Sequence, residues 1–390
     1  MPAPAFARGE WLVAQGEPFD LVLDENYARD DVELLEIDED LIPRVMRSDG
    51  TIRFKGLPDD PAVICTRERT YAVTRAETSN ELVLVGPPIE GDEDEAEAEA
   101  DGGRRRATAR ARATSHLDLT EIAPRLERLR EMMVACAYRG DEDAMEGVGG
   151  SGERGHAFEA LEERVQASEL EILRCLEDEL VAIEIDGLWR GVDPEYRLHA
   201  LAMLAVSAGG NGWDLRALEE SVVADAMTRD GFAPQMALNT LKAFASPNED
   251  GVTWALNEER VCRATAERVL RDGVGLPKWR LVDMMDAWRR KMSETGLEHI
   301  EVREEYLAGL ALVERPESAT EAFVRTLIAK DLPTEPAERF AALWAVKPRW
   351  TMVELEPYLK GQARPGQTIE SQLLKFCRVI QGKPMLYSKR

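Results

Sequence analysis

The sequence predicts an α+β multidomain chain, with a β-barrel-like N-terminal assembly domain followed by tandem winged-helix domains. Three observations predict it. Short apolar or alternating runs crowd residues 1–90, the periodicity turns helical from Leu117 onward, and the helical part repeats an order of helices followed by a hairpin. At 390 residues the chain exceeds one hydrophobic core and fits roughly two to four domains.

In the β part, Glu10–Ala14, Phe19–Leu23, Val32–Ile37, Thr51–Gly56, Ala62–Thr66, Thr70–Thr74 and Glu81–Val85 read as strands, separated by Asp, Gly, Pro or Asn. A domain this small is expected to keep open strand edges, and an open edge invites pairing with another chain. Val63, Ile64, Tyr71, Val73, Leu82 and Leu84 are its candidate partner-binding residues.

Residues 91–116 join an acidic block, EGDEDEAEAEADGG, to a basic one, RRRATARAR. With few large apolar side chains the segment is expected to be a disordered linker. Arg104, Arg105, Arg106, Arg110 and Arg112 form either a nuclear-localisation or nucleic-acid patch or merely a solvated stretch.

Residues 117–193 read as a first winged helix. Leu119, Ile122, Leu126, Leu129 and Met133 fall on one helical face, a loop covers 139–156, and helices follow over Phe158–Val165 and Ser168–Leu180. Ser168 and Glu171 stand at capping-box spacing, and Asp186-Gly187 marks a hairpin turn. Residues 194–256, 257–334 and 335–390 read as three further units of the same order, the last with helices over Pro336–Ala345, Thr351–Tyr358 and Thr368–Ile380.

Charge separates these units. The chain carries −25, but residues 335–390 hold ten Lys or Arg against five Glu, a net +5 that leaves −30 upstream. The helix SELEILRCLEDEL of the first unit would repel phosphates, whereas TIESQLLKFCRVI sets Ser371, Gln372, Lys375 and Arg378 opposite an apolar stripe of Ile369, Leu373, Phe376, Cys377 and Ile380. The candidate DNA-binding set is Lys347, Arg349, Lys360, Arg364, Ser371, Gln372, Lys375, Arg378, Lys383, Lys389 and Arg390. The competing reading is a solvated helix with a basic tail.

Catalysis and cofactors find no support in the motifs. Cys65, Cys136, Cys175, Cys262 and Cys377 never form CxxC, and His116, His156, His199 and His299 sit at no metal-ligand spacing. Gly147, Gly149 and Gly152 match GxGxxG, but charged residues stand where the fingerprint needs a strand, and no P-loop motif occurs. No apolar run approaches the roughly twenty residues of a membrane span, and MPAPAFARGEW lacks signal-peptide order, so an intracellular, non-enzymatic protein without cofactor or metal is expected.

The stretch AVICTRERTYAVTRAETSNELVLV, Ala62–Val85, resembles the hallmark region of the "defective in sister chromatid cohesion" (DCC) family, accessory subunits of the cohesion-type alternative replication factor C clamp loader. Similar segments follow in order: Val165–Leu173, Gly187–Tyr196, Cys262–Leu270, Tyr306–Arg315, Arg339–Trp350 and Gln367–Arg378. The resemblance implies a nuclear, non-ATPase subunit in DNA replication and sister chromatid cohesion. Its β domain would join the smallest specific subunit and the end of the large subunit. Its winged helices would contact single- and double-stranded DNA and, within the assembly, the catalytic subunit of DNA polymerase epsilon, with the sliding clamp reached indirectly and no membrane involved. The family is usually described with three winged helices, where the element order here gives four units. A winged-helix transcription regulator, or a protein scaffold without DNA contact, is the rival reading.

Overall fold

The protein is described from a computed structural model, which covers residues 19–23, 27, 33–37, 39, 41–42, 52–58, 60–86, 105–140, 154–273, 279–316, 321–360 and 368–390. The expected strand Glu10–Ala14, the acidic block 90–103, Arg104, the glycines 147, 149 and 152, and Arg364 lie outside those residues. The chain divides into two compact units. One comprises Met1–Phe54, Asp59–Thr66 and Tyr71–Glu121; the other comprises Lys55–Pro58, Arg67–Thr70 and Ile122–Arg390.

The first unit holds all but the end residues Lys55, Thr70 and Ile122 of a six-stranded sheet, β1 (Phe19–Leu23), β2 (Leu34–Glu36), β3 (Arg53–Lys55), β4 (Val63–Cys65), β5 (Thr70–Gly86) and β6 (Arg105–Ile122). Its order is β1-β6-β5-β4-β3, with β2 also paired to β6. β1 and β2 run parallel to β6. The sheet is open: no closed barrel is found among the described residues, which corrects the barrel-like expectation. Two expected strands, Thr70–Thr74 and Glu81–Val85, are one 17-residue strand.

The expected linker 91–116 is corrected over its second half, because residues 105–116 belong to β6. Small and β-branched residues explain this. Thr108, Ala109 and Ala111 are buried while Arg110 and Arg112 point to solvent, so backbone pairing within the sheet replaces the side-chain burial that the composition lacks. Leu119 and Ile122 consequently lie on a strand and not on the expected helix, which begins only at Glu127.

In the second unit, α1 (Glu127–Ala135), α2 (Phe158–Arg164), α3 (Glu169–Arg174) and the hairpin β7 (Ile183–Ile185) and β8 (Leu188–Arg190) form the first module. Leu129, Met133, Leu161, Ile172 and Leu176 are the centre of its core. The capping box exists: Glu171 N donates to Ser168 Oγ at 3.3 Å, and Ser168 N donates back to Glu171 Oε2 at 2.9 Å. Two short segments of this same unit grip that cap. Thr70 Oγ1 donates to Glu171 Oε2 at 2.6 Å, and the buried Lys55 Nζ donates to the Ala167 carbonyl at 2.7 Å. The expected helix does not continue regularly to Leu180: Cys175–Glu179 is a π-helical turn, and only two strands pair in this module's hairpin. His156, expected in a loop, is buried and bridges to Trp189.

Three modules follow with one shared order. The second runs α4 (Pro194–Asn211), β9 (Leu218–Glu219), α5 (Glu220–Arg229), α6 (Gln235–Phe244), β10 (Ala245–Pro247) and β11 (Thr253–Leu256). The third runs α7 (Glu258–Asp272), β12 (Trp279–Arg280), α8 (Leu281–Glu294), the 3-10 turn Glu304–Leu307, β13 (Ala311–Glu314) and β14 (Phe323–Thr326). The fourth runs α9 (Pro336–Val346), β15 (Arg349–Thr351), α10 (Met352–Leu359), α11 (Ile369–Phe376), β16 (Cys377–Ile380) and β17 (Leu386–Lys389). In each, the last strand pairs antiparallel to a hairpin partner and to the short first strand.

The caps the sequence encodes hold these helices. Asp193 accepts from Glu195 N, Asn257 from Arg260 N, and Thr351 with Glu354 forms a second capping box. Trp288, fully buried in the third module, satisfies its indole by donating to Thr265 Oγ1 at 2.9 Å. No helix among the described residues is long and apolar enough to cross a membrane.

Candidate nucleic-acid interface

The terminal module is built around Phe340, Leu343, Trp350, Leu355, Tyr358 and Leu373. Phe340 stacks on Phe376 with ring centroids 5.1 Å apart, fixing α11 against α9. Thr368 caps α11 by accepting from Ser371 N at 3.3 Å.

One correction relocates the basic surface. The helix expected to run to Ile380 ends at Phe376, and Cys377–Ile380 is strand β16. The β-branched pair Val379-Ile380 and the partner strand ending the chain favour this outcome. Arg378 therefore leaves the helix. Its strand register places it opposite Ser388, and Ser388 in turn stands opposite Arg349. Directly opposed residues share a face, so Arg349, Ser388 and Arg378 form one row across three strands, spanning about 10 Å. Trp350 and Cys377, one position along, are buried on the other face, so the arginine row is the outer one.

Gln372 is also relocated. It is 4% exposed and sits inside the module rather than on the polar helix face. Ser371 and Lys375 remain exposed, and Lys375 lies 5.2 Å from the Phe376 ring centre. Lys383 is exposed in the loop between β16 and β17, Lys389 is exposed at the end of β17, and Lys360 is exposed after α10. Arg390 Nη1 donates to the Leu374 carbonyl at 3.0 Å, satisfying the open end of α11.

Ion pairing distinguishes this module from much of the third, where Arg268, Arg271, Arg280, Arg289 and Arg315 each sit within 3.1 Å of a carboxylate oxygen. In the terminal module Lys347 pairs with Glu354. Among the described residues, Arg349, Lys360, Lys375, Arg378, Lys383, Lys389 and Arg390 have no such partner. Arg339, counted in the charge of this module, is 3% exposed and structural.

Among the described residues, the elements that correspond to α11 in the other modules differ in charge or kind. α3 and its π turn present Glu169, Glu171, Glu177, Asp178 and Glu179, α6 has only Lys242, and the third module has a 3-10 turn in place of the corresponding helix. All five cysteines are buried and in no disulfide, and burial pushes the Cys175 thiol up to about 12 and those of Cys262 and Cys377 to about 11, which leaves these three protonated and unreactive near neutrality. His199 stands against the Tyr196 and Phe232 rings.

The candidate assembly residues divide. Val63, Ile64 and Tyr71 are buried and Val73 is half-buried, so the first three serve the interior. Leu82 and Leu84 are 42% and 48% exposed, and Val83, Val85 and Leu21–Leu23 are exposed as well. At Leu82–Val85 and Leu21–Leu23, where consecutive apolar residues are open, the sheet is uncovered on both faces. In the same sheet His116 Nε2 lies 3.0 Å from Glu36 Oε2 and 2.9 Å from Asp118 Oδ1, a grouping that needs β2 beside β6 and that the sequence spacing does not reveal.

The family described as "Sister chromatid cohesion protein Dcc1" matches residues 32–359. The chain belongs to this family. Sister chromatid cohesion protein DCC1 of Danio rerio is 28% identical over 371 residues, covering 94% of this chain and 91% of that protein. The Homo sapiens protein of the same name is 25% identical over 362 residues, covering 92% and 88%. "Probable sister chromatid cohesion protein DCC1" of Dictyostelium discoideum is 22% identical over 388 residues, covering 92% and 94%. Membership implies a role in sister chromatid cohesion. These relatives are named as cohesion proteins, not as enzymes.

Proposed function

We propose that this chain is a non-catalytic accessory subunit of an alternative sliding-clamp loader, acting in the nucleus in DNA replication and sister chromatid cohesion. The three modules from Pro194 onward are read as winged helices, because helix, strand, helix, helix or turn, strand, strand, closed by a three-stranded sheet, is that fold's order. The terminal one contacts DNA. The observation that carries this reading is the row Arg349–Ser388–Arg378, whose two arginines have no carboxylate partner among the described residues, in a module that also exposes Lys375 and Lys383 without one. Free cations at that density release counterions from a phosphate backbone, while the acidic modules orient the chain away from it.

The N-terminal sheet assembles with the large and smallest specific subunits through the exposed strands around Leu84. DNA polymerase epsilon is met by the assembled module. The mechanism is tethering: a motor in other subunits gains local concentration at DNA through this chain. A transcription regulator would need base-reading helices in more than one module, and the acidic α3 speaks against that.

The test is affinity purification from cells with the wild-type chain and with Leu82→Asp/Leu84→Asp. Clamp-loader subunits recovered with the first and missing with the second support the reading. Their absence from the wild-type sample overturns it.

A further inference from the structure

Within the second unit a cleft of about 690 Å³ opens between the π turn, the start of α4, the end of α6 and α7. That volume lies in the range of peptide and ligand sites, roughly 300–1,000 Å³. Its floor is apolar, with Leu198, Phe244 and Trp254, and its cations include Arg197, Lys242 and Arg260.

These three have no carboxylate partner among the described residues. Arg197 spends Nη2 on the carbonyls of Leu180 and Val181, at 3.1 and 3.0 Å, while its Nε is buried with no acceptor. Arg260 donates to the carbonyls of Lys242 and Ala245. The acid whose charge reaches Arg197, Asp193, already caps α4 and pairs with Arg139 at 3.4 Å. A guanidinium that hydrogen-bonds only to neutral carbonyls, with its Nε buried and its one nearby acid already engaged, is poorly compensated for its desolvation, and burial draws the Arg197 pKa down to about 10. Backbone geometry at the same place is unusual: Val181, a β-branched residue, has φ 44°, and the π turn precedes it.

We propose that this cleft receives a peptide segment of a partner chain, with one anionic side chain placed between Arg197 and Lys242 and an apolar neighbour against the half-buried Trp254. A polyanion is disfavoured by Glu177, Asp178 and Glu195 on the same walls. A single acid meets less of that repulsion.

A random 12-residue peptide library displayed on phage, selected against the immobilised full chain, tests this. The expected hits carry Asp or Glu beside a large apolar residue, and Lys242→Glu, an exposed position, weakens their binding tenfold or more while the melting temperature is unchanged. Arg197→Lys weakens it too, and replacing the acid with Gln abolishes it. Phosphoserine in place of the acid distinguishes a phosphorylated source, by tighter binding, from a carboxylate one. No enrichment, equal binding to Lys242→Glu, or displacement of the hits by duplex DNA overturns the proposal.

Discussion

Arg339 Nε donates to the main-chain carbonyl of Tyr358 at 2.6 Å, joining α9 to the end of α10 in the terminal module. The same guanidinium donates to the carbonyls of Leu332, Pro333 and Ala329 at 3.1, 2.9 and 2.7 Å. It is a clamp for four carbonyls, not a phosphate contact. Arg339→Met leaves these groups without their donor, and at about 1–3 kcal/mol for each buried group left unsatisfied the module loses at least about 3 kcal/mol. Arg339→Lys is also destabilising, because one ammonium cannot span the planar fork. Urea denaturation followed by tryptophan fluorescence measures both; a loss below about 1 kcal/mol for the Met variant contradicts the clamp.

Tyr358 itself predicts the opposite sign. Its ring is edge-on to Trp350 at 5.8 Å, but its hydroxyl is buried without a hydrogen-bond partner. Burial, followed by the charge of Glu354, pushes that hydroxyl's pKa upward. Tyr358→Phe keeps the ring and deletes the unpaired group, so stability is expected to hold or rise by about 1 kcal/mol. A drop of more than about 1 kcal/mol in the same denaturation experiment contradicts this.

Glu354 gives the module a pH dependence. Burial alone would raise its pKa, but the hydrogen bond from Lys347 and the Thr351 amide hold the carboxyl below the ordinary 4.5. A depressed acid stabilises fully above its unfolded value and progressively less as pH falls through its folded value. Wild type is therefore expected to lose stability below pH 4.5 more steeply than Glu354→Gln, which keeps the cap but not the charge. Thermal melts of both proteins at descending pH decide it, and parallel curves count against the pairing. Freed Lys347 also makes this variant a slightly tighter DNA binder than wild type.

Much of the helical part is legible in the sequence because its signals are local. Ser168 with Glu171, Asp186-Gly187, and the breaks near Asn257 and Pro336 fix helix starts and turns from a few residues each. The sheet is less legible. β6 pairs with β1 and β2 from far earlier in the chain, and the pairing of Ala109 with the distant Leu23 leaves no trace in local composition. The end of α11 is hidden for the same reason: Cys377–Ile380 fits a helical stripe equally well, and only pairing with Leu386–Lys389 decides for a strand. Of the candidate site, the charge is readable, and the row Arg349–Ser388–Arg378 is not. Arg339 looks like any other basic residue until its burial is known.

The central claim is that the terminal basic surface binds a phosphate backbone, and the salt dependence of DNA binding tests it most directly. Titrating fluorescent duplex with the full chain, and with the variant Lys375→Glu/Arg378→Glu/Lys383→Glu, gives log K against log salt for each. The account predicts weaker binding for the variant and a slope flattened by about 0.9 for every phosphate that the variant no longer neutralises. Equal affinity and equal slope for the two proteins contradict it.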